Sequence, residues 1–346
     1  MENGKQIIEF VALLKACAKT KDLIQGAKLH ACILERNLHE KRPPLYLAST
    51  LIHMYAKCGM LAKAQEVLFE LPIRDVVSWS ALISGYAQQN QGLQALNCFD
   101  RMQSEGFSPD AVTFTCILKA CGNMGSINKG IQIHEEIMYR GLLKKDVMLG
   151  NALVDMYAKC GMLAKAHQVL RGLPIQDVVS WNALITGYNQ QEQCQQAIMC
   201  FEQMQREGFS PDEVSFVCLL TACAHSGILD EAQRYFESMN RRYGIIPRLE
   251  HHTCMVVVYG CAGQFEKAME VINVMPSSDY PTVWIALLSA CRKWGNVMLG
   301  RLAFDQAIQL EDGCGAAYVL MGSTFAAAGM QEEAAKVEAM RLIYAD

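Results

Sequence analysis

The stretch that decides the fold is residues 153–188, "LVDMYAKCGMLAKAHQVLRGLPIQDVVSWNALITGY", because it nearly copies residues 51–86, "LIHMYAKCGMLAKAQEVLFELPIRDVVSWSALISGY". When residues 51–89 are aligned with 153–191, 29 of 39 positions are identical at a fixed offset of 102 residues. The offset divides into units of 35, 36 and 31 residues, which start at 76, 111 and 147. A period in the thirties is typical of a solenoid and not of a single globular core.

Each unit has the pattern of two amphipathic helices. Between residues 178 and 212, apolar residues at i, i+3, i+4 and i+7 share one face of a first helix, and a second stripe follows: Trp181, Leu184, Ile185 and Tyr188, then Ala197, Phe201 and Met204. Gly208 stands where a left-handed residue ends a helix, and Pro211 cannot continue one. Neither helix can bury its apolar face alone, so neighbouring units must stack.

The frame extends to ten helix pairs, which start near residues 7, 45, 76, 111, 147, 178, 213, 249, 281 and 315. Strand signals are missing from the sequence. We therefore predict an all-α fold, an α-solenoid of about ten helix-turn-helix repeats in one continuous domain.

Composition limits the classes of function. The net charge of −4 and the pI near 6.1 do not suit a protein that coats duplex nucleic acid, although one face can still be basic. No apolar run reaches the roughly 18–20 residues of a membrane span, so we expect no membrane partner. The 15 cysteines lie in helical patterns, which favours reduced, buried thiols. The N-terminus "MENGKQIIEF" has no features of a transit or signal peptide.

Several motifs occur in a fixed order along the chain. The segments "VVSWSALISGYAQQ" and "VVSWNALITGYNQQ" resemble the P-type repeat of plant pentatricopeptide repeat (PPR) proteins of the PLS class. "VTFTCILKACGNMGSINKGIQIHEEI" resembles the L-type repeat and "LGNALVDMYAKCGMLAKA" the short S-type repeat. "VWIALLSACRKWGNVMLG" and "AYVLMGSTFAAAGMQEEAAKV" resemble the paired E-type motifs of organellar RNA editing factors. The resemblance covers almost the whole chain.

The resemblance implies a right-handed superhelix with boundaries as follows: an N-terminal extension 1–6; a PLS array 7–280, divided into L 7–44, S 45–75, P 76–110, L 111–146, S 147–177, P2 178–212, L2 213–248 and S2 249–280; and E-type motifs 281–314 and 315–346 within 281–346.

The family implies sequence-specific binding of single-stranded RNA, with one base per repeat. The base is read by the fifth residue of a repeat and by its last residue. Transferred to this chain, the pairs are Ser49 with Asp75, Ser80 with Asp110, Thr115 with Asp146, Asn151 with Asp177, and Asn182 with Asp212. An apolar second residue packs against the base, which gives Val77, Val112, Met148 and Val179.

These pairs imply a recognition sequence. In the family, Ser/Asp pairs resemble guanine readers and Asn/Asp pairs resemble uracil readers, and the protein runs parallel to the RNA. Thr115 with Asp146 would also favour guanine, but L-type units often read weakly and this unit has an extra residue. Thr253 pairs with Tyr280 and departs from the family pattern. Val11 and Val217 cannot form a hydrogen bond with a base. The expected editing site is 5′-GGNUUNNNNNC, with the final C as the target.

A structural alternative exists for the aspartates. Each one directly precedes a predicted helix, where a carboxylate can accept hydrogen bonds from the first backbone N–H groups as an N-cap. Capping does not explain why the fifth position changes from Ser80 to Asn182 in otherwise matched units.

The chain offers little for catalysis. His134 and Glu136 satisfy the H-x-E part of a zinc-dependent cytidine deaminase, but no two cysteines lie three residues apart to complete the C-x-x-C pair. His134 also matches His30 in another L-type unit, and His251 and His252 stand at an ordinary repeat position, so we interpret these histidines as structural. We expect no metal, no cofactor and no enzyme activity in this chain.

Three functions remain open. The favoured one is a specificity factor for C-to-U RNA editing in a mitochondrion or chloroplast. Its E-type motifs would contact either a DYW-type cytidine deaminase domain or other editing factors. The second is an RNA-binding protein for RNA stabilisation, splicing or cleavage. The third is a protein–protein scaffold, because similar helix-pair solenoids such as tetratricopeptide repeats bind peptides. The regular polar readers argue against the scaffold.

Overall fold

The computed structural model describes residues 2–35, 45–71, 73–144, 146–275, 280–311 and 313–344, and all regular elements in these ranges are helical. They comprise twenty α-helices and one short 3₁₀-helix. The prediction of an all-α fold is therefore confirmed. Two compact units divide the chain, Met1–Ala183 and Leu184–Asp346.

The first unit contains ten complete helices and the 3₁₀-helix at Leu142–Lys144. The α-helices are α1 (Glu2–Thr20), α2 (Leu23–Glu35), α3 (Leu45–Lys57), α4 (Leu61–Glu70), α5 (Val76–Gln88), α6 (Gly92–Ser104), α7 (Ala111–Met124), α8 (Ile127–Tyr139), α9 (Val147–Lys159) and α10 (Leu163–Gly172).

Helix α11 (Val178–Gln190) includes the division between the units, and the second unit contains the remaining nine helices of the described residues. These are α12 (Cys194–Arg206), α13 (Glu213–Ser226), α14 (Leu229–Tyr243), α15 (Leu249–Cys261), α16 (Phe265–Val274), α17 (Pro281–Trp294), α18 (Val297–Leu310), α19 (Gly315–Ala327) and α20 (Gln331–Tyr344).

Within each unit the odd-numbered helices form one layer. In the first unit α1, α3, α5, α7 and α9 pack one on the next, and in the second unit α13, α15, α17 and α19 do the same. An even-numbered helix packs against the odd-numbered helices before and after it, as α2, α4, α6 and α8 do in the first unit and α14 and α18 do in the second. The core lies between the layers, where the large fully buried side chains include Trp79, Phe99, Phe114 and Tyr157. Gly85 permits the close approach of α5 to α3, since a Cβ there would lie 2.6 Å from the Cβ of Ala56.

The helix starts match the repeat frame. Every predicted unit start from residue 45 onward coincides with the first residue of an odd-numbered helix. At the N-terminus α1 begins at Glu2, so the helix starts five residues before the predicted unit start at residue 7. Gly208 follows α12 with a φ of +88°, as the sequence pattern predicts for a left-handed residue after a helix.

Two further expectations concern the helices and the thiols. None of the helices in the described ranges combines the length and the apolarity of a transmembrane segment. All 15 cysteines lie in described ranges as free thiols, and most are buried or half-buried. Burial raises the pKa of Cys121 and Cys223 to about 12, which keeps these thiols protonated and unreactive at neutral pH.

Candidate RNA-binding face

The predicted site residues lie on the odd-numbered helices and on the loops that lead into them. We call the solvent-exposed side of the odd-numbered helices the reader face. The second residue of each helix that was predicted to pack on a base is exposed there, by 58% for Val77, 60% for Val112, 71% for Met148 and 55% for Val179. Exposed apolar side chains at a fixed register provide a surface against which planar groups can pack.

All five predicted reader aspartates cap the helix that follows them. Asp75, Asp110, Asp146, Asp177 and Asp212 each accept a hydrogen bond at Oδ1 from the backbone N–H three residues later, at 2.8–3.0 Å. The capping alternative is thus a real role of these residues. It does not exclude base reading, because a carboxylate has a second oxygen and the cap bonds go to Oδ1.

Asp177 caps its helix with one carboxylate oxygen and contacts the predicted reader Asn151 with the other. The amide Nδ2 of Asn151, the fifth residue of its unit, donates to Oδ2 of Asp177 at 3.1 Å, while Oδ1 of Asp177 keeps the cap. The Asn151 Oδ1 is buried and has no hydrogen-bond partner in the described part of the chain. A buried acceptor without a partner is unfavourable. A ligand that donates a hydrogen bond would remove that penalty.

Ser80 and Asp110 are connected through a third residue. The Oγ of Ser80 lies 2.6 Å from Oγ1 of Thr113, which donates to Oδ1 of Asp110 at 2.7 Å. The Ser80 hydroxyl is also 2.7 Å from the carbonyl oxygen of Val76, one turn earlier in α5. The predicted pair therefore belongs to one hydrogen-bonded network, although its two members do not touch directly.

The remaining fifth residues differ in their contacts. Ser49 donates to the carbonyl oxygen of Tyr46 at 3.2 Å, and Thr115 donates to that of Ala111 at 2.8 Å. Thr253 donates to its own helix in the same way, at 2.9 Å. These hydroxyl hydrogens point into the helix, so the oxygen lone pairs are what the side chains can offer to a ligand.

The remaining predicted pair positions are Asn182, Asp212 and Tyr280. Asn182 is buried and belongs to the first compact unit, whereas Asp212 belongs to the second. Tyr280 precedes α17 without capping it through its side chain and is 51% exposed. The departure from the family pattern at Thr253 and Tyr280 is thus accompanied by a different helix start.

A groove of about 460 Å³ opens on the reader face across α1, α3, α5 and α7. Ser49 and Ser80 line it together with the exposed second residues Val77 and Val112. Lys15 contributes a basic group, and His53 lies beside it. Burial, followed by the nearby Lys57 and Lys15, lowers the pKa of His53. The groove thus combines apolar walls, hydroxyl groups and a cation, as a nucleotide with its phosphate would require.

The reader face contains residues that the sequence interpretation missed. Tyr46 is the second residue of its unit, is 49% exposed and lines the groove. Val214 holds the same position and is 54% exposed. The rule that selected Val77 would have selected both. Thr113 was also missed, although the spacing of an aspartate followed three residues later by a hydroxyl residue signals its contact with Asp110.

The histidines behave as structural residues. The Nδ1 of His134 lies 2.9 Å from the hydroxyl of Tyr157, and His30 makes the same contact with Tyr55 at 2.9 Å. Burial lowers the pKa of His134, so the imidazole is neutral at pH 7. His251 is fully buried, and its two ring nitrogens bond to the main chain. Within the described ranges, no group of three or more His, Cys, Asp or Glu residues could hold a metal ion.

Two sequence profiles match most of the chain. The profile of the PPR repeat family matches residues 74–123 and 176–225, and that of the PPR repeat matches residues 47–76, 112–142, 151–173, 214–243 and 250–280. The chain belongs to the PPR repeat family. The matches end at residue 280, so the assignment of 281–346 to E-type motifs and of the array to the PLS class remains a prediction.

Curated plant proteins of the PPR family cover nearly the whole chain. The chloroplastic pentatricopeptide repeat-containing protein CRR2 of Arabidopsis thaliana is 37% identical over 337 residues, which are 95% of this chain and 50% of CRR2. A second chloroplastic family member from the same plant is 36% identical over 332 residues, 95% of this chain and 44% of its own length. The chain spans about half the length of these relatives.

A solved structure of the family has the same fold. The pentatricopeptide repeat protein PPR10, crystallised in complex with an 18-nt psaJ RNA element, matches with a TM-score of 0.71. The match covers 92% of this chain and 48% of PPR10, and the two sequences are 17% identical. At this identity the similarity establishes the α-solenoid fold.

Proposed function

We propose that the protein binds single-stranded RNA, one base per repeat, as a specificity factor for C-to-U editing in a plant organelle. The observation that carries the proposal is the contact between Asn151 and Asp177. It joins the two residues that the family uses as readers, at the predicted register, and leaves the Asn151 Oδ1 without a partner. A base edge supplies donors and acceptors of the kind that such a pair would bind.

The proposed recognition sequence is 5′-GGNUUNNNNNC. The two guanines follow from the Ser49 and Ser80 units and the two uracils from the Asn151 and Asn182 units. Ser49 and Ser80 offer oxygen lone pairs to the groove, because their hydrogens point towards protein oxygens. Lone pairs suit guanine, whose Watson–Crick edge carries two adjacent N–H donors. Each satisfied contact is expected to contribute about 1–3 kcal/mol of discrimination.

Electrostatics supports selective binding over general attraction to RNA. The chain has a net charge of −4, so phosphate attraction must come from local groups such as Lys15 beside the groove. Affinity for an arbitrary single strand is therefore expected to be weak. The base contacts then contribute a large share of the binding free energy.

The editing role and the organelle come from the relatives and from the sequence. The two curated relatives described above are chloroplastic proteins, which favours a chloroplast. The E-type resemblance of residues 281–346 favours editing over RNA stabilisation or splicing, and it implies a deaminase partner or an appended deaminase domain. The PPR10 complex with RNA supports an RNA ligand over a peptide.

The first test measures RNA binding by fluorescence anisotropy at two salt concentrations. The ligands are 5′-GGAUUAAAAAC and the exchanged sequence 5′-UUAGGAAAAAC, both labelled at the 3′ end. We expect tight binding of the first RNA and at least tenfold weaker binding of the second. Equal binding would leave RNA as the ligand but refute the reader assignment. Binding of neither RNA would favour the protein scaffold.

Editing is tested separately from binding. A cytidine deaminase domain is fused after residue 346, or supplied in trans, and the conversion of the final C of the target is sequenced. Conversion at that C but not at a C moved by two nucleotides is the expected result. Normal RNA binding without conversion in either format would refute the editing role and favour RNA stabilisation or splicing.

A further inference from the structure

The hydroxyl of Thr113 connects two residues that belong to the preceding repeat unit. Thr113 is the third residue of α7, is fully buried, and lies 2.6 Å from Ser80 and 2.7 Å from Asp110. We propose that Thr113 is a positioning residue for this reader pair: its hydroxyl holds Ser80 and Asp110 in one hydrogen-bonded network, in which both present acceptors to a guanine base. The inference rests on the proposed RNA-binding function.

The number of hydroxyl hydrogens determines which groups donate and which accept in this network. Three close contacts, Ser80 to Val76, Ser80 to Thr113 and Thr113 to Asp110, share only two hydroxyl hydrogens. A carboxylate can only accept, so the Thr113 hydrogen goes to Asp110. The Ser80 hydrogen must then go to Thr113 or to the carbonyl oxygen of Val76. In both cases Ser80 retains lone pairs and no hydrogen for a ligand.

The acceptors that remain match one base better than the others. Ser80 Oγ offers a lone pair, and Asp110 offers Oδ2, because its described bonds use Oδ1. The Watson–Crick edge of guanine carries two adjacent donors, N1–H and the N2 amino group. Adenine has an acceptor at N1, which would face an acceptor of the protein without a hydrogen between them. The direction of the network therefore discriminates between the two purines.

The third residue also bonds to the preceding aspartate in the unit before, where the hydroxyl of Ser78 donates to Oδ1 of Asp75. It acts differently after Asp146 and Asp177. Leu149 stands at this position after Asp146 and has no hydroxyl, so only its backbone N–H bonds to the carboxylate. The hydroxyl of Ser180 donates to the main-chain oxygen of Asp177 at 2.8 Å, and the carboxylate remains available to Asn151. Thr113 is thus the residue whose hydroxyl contacts both members of a predicted Ser/Asp pair.

The test compares four RNAs with the protein and three variants. The RNAs carry G, A, U or C at the second position of 5′-GGAUUAAAAAC. Thr113→Val removes the hydroxyl and keeps the shape, Thr113→Ser keeps a hydroxyl, and Ser180→Ala is the matched control at an equivalent position. Anisotropy gives the ratio of affinities for G and A, and a circular dichroism melt gives Tm.

We expect Thr113→Val to reduce the preference for G over A about tenfold, because Ser80 Oγ and Asp110 Oδ2 are then no longer held in position for the two adjacent donors of guanine. Thr113→Ser should restore most of the preference, and Ser180→Ala should change it less than twofold. A purely structural role of Thr113 would lower Tm and weaken all four complexes equally, which would overturn the inference. Wild-type binding to RNA without a base preference at this position would overturn it as well. Failure of the wild type to bind any RNA would refute the proposed function itself.

Discussion

Two regions of the chain share one architecture but begin their helices differently. In the aspartate region, residues 45–212, every predicted unit ends in Asp, from Asp75 to Asp212. In the C-terminal region, residues 213–344, the units end in Arg248, Tyr280 and Cys314 instead. Both regions contain the same alternating helix pairs. The solenoid fold therefore does not require an aspartate at each helix entry.

Helices α15 and α17 of the C-terminal region begin without an aspartate cap. The ring of His251 accepts a hydrogen bond from the backbone N–H of Arg248 at 3.1 Å. Helix α17 begins with Pro281, which lacks an N–H and fits the first turn. These starts form without a carboxylate, so capping alone does not require an aspartate at the end of every unit. Base reading is the second role that we propose for them.

The fifth residues of the last two units also differ from those of the aspartate region. Ser80 and Asn151 are polar in the aspartate region, whereas Ile285 and Val319 hold the equivalent positions of the C-terminal region. Ile285 lines a mainly apolar groove of about 470 Å³. The side chains of Ile285 and Val319 cannot form hydrogen bonds with a base edge. The comparison thus limits the proposed readers to the units before residue 281, since Thr253 still places a hydroxyl at the fifth position of its unit.

The largest expected effect is on stability, and it concerns a buried tryptophan that both regions have at the same helix position. Trp79 and Trp284 hold the same fourth position of their helices and are 0% and 7% exposed. Replacing either residue by Ala leaves a large cavity in the core, so each variant should lose about 3–5 kcal/mol of unfolding free energy. Urea denaturation followed by circular dichroism measures the loss.

A surface substitution serves as the control for this pair. Leu93 is 66% exposed, and Leu93→Ala should change the free energy of unfolding by less than about 0.5 kcal/mol. A loss below about 1 kcal/mol for Trp284→Ala, beside the full loss for Trp79→Ala, would show that the two regions do not share the same core energetics.

A smaller effect separates capping from reading. Asparagine caps helices as well as aspartate does, so Asp177→Asn should preserve stability. It replaces the carboxylate that accepts from Asn151 at 3.1 Å, so the preference for U over C at the fourth base of 5′-GGAUUAAAAAC should fall about fivefold, or about 1 kcal/mol. Anisotropy and thermal melts measure the two quantities.

Two companion variants complete this comparison. Asp177→Ala should lose the base preference and also about 1 kcal/mol of stability, because the cap disappears. Tyr280→Ala, at the equivalent position of the C-terminal region, should change RNA affinity less than twofold. An unchanged base preference in Asp177→Asn would mean that Asp177 only caps α11.

The fold followed from local features of the sequence. The apolar stripe of Trp181 and Leu184 predicted a buried helix face, and both side chains are fully buried. Gly208 predicted a left-handed helix end, which is observed. These features depend on residues close in sequence, where helix periodicity and end signals act directly. The helix starts from residue 45 onward coincide with the predicted unit starts for the same reason.

The site depended on information that a residue pattern does not contain. Position in the repeat predicted the pair of Ser80 and Asp110, but not that Thr113 lies between them, because that contact joins side chains from two units. The pattern also posed capping and reading as alternatives. At Asp177 the geometry shows that one carboxylate oxygen caps while the other binds Asn151. Because the two oxygens of one carboxylate make different contacts, the sequence position of Asp177 does not by itself show that it has both roles.

The smallest expected effect concerns pH and again distinguishes the two regions. His134 packs on Tyr157 in the aspartate region, whereas Phe304 holds the equivalent position of the C-terminal region and packs on Tyr318. Burial, followed by Lys165, lowers the pKa of His134 below its ordinary value of 6.5. As the pH falls below about 6.5, the unfolded chain takes up a proton before the folded chain does. Stability is therefore complete above that pH and is lost as the pH falls through the folded-state pKa.

Substituting the residue of one region into the other tests this assignment. The protein should melt at a lower temperature at pH 5.5 than at pH 7.5, and His134→Phe, which copies the C-terminal residue, should reduce that difference. His225→Gln removes an exposed histidine and should leave the difference as it is. If His134→Phe melts with the same pH dependence as the wild type, the acid sensitivity has another origin. Loss of the contact with Tyr157 should lower Tm of His134→Phe at pH 7.5 in either case, so the pH dependence and not the absolute Tm decides the outcome.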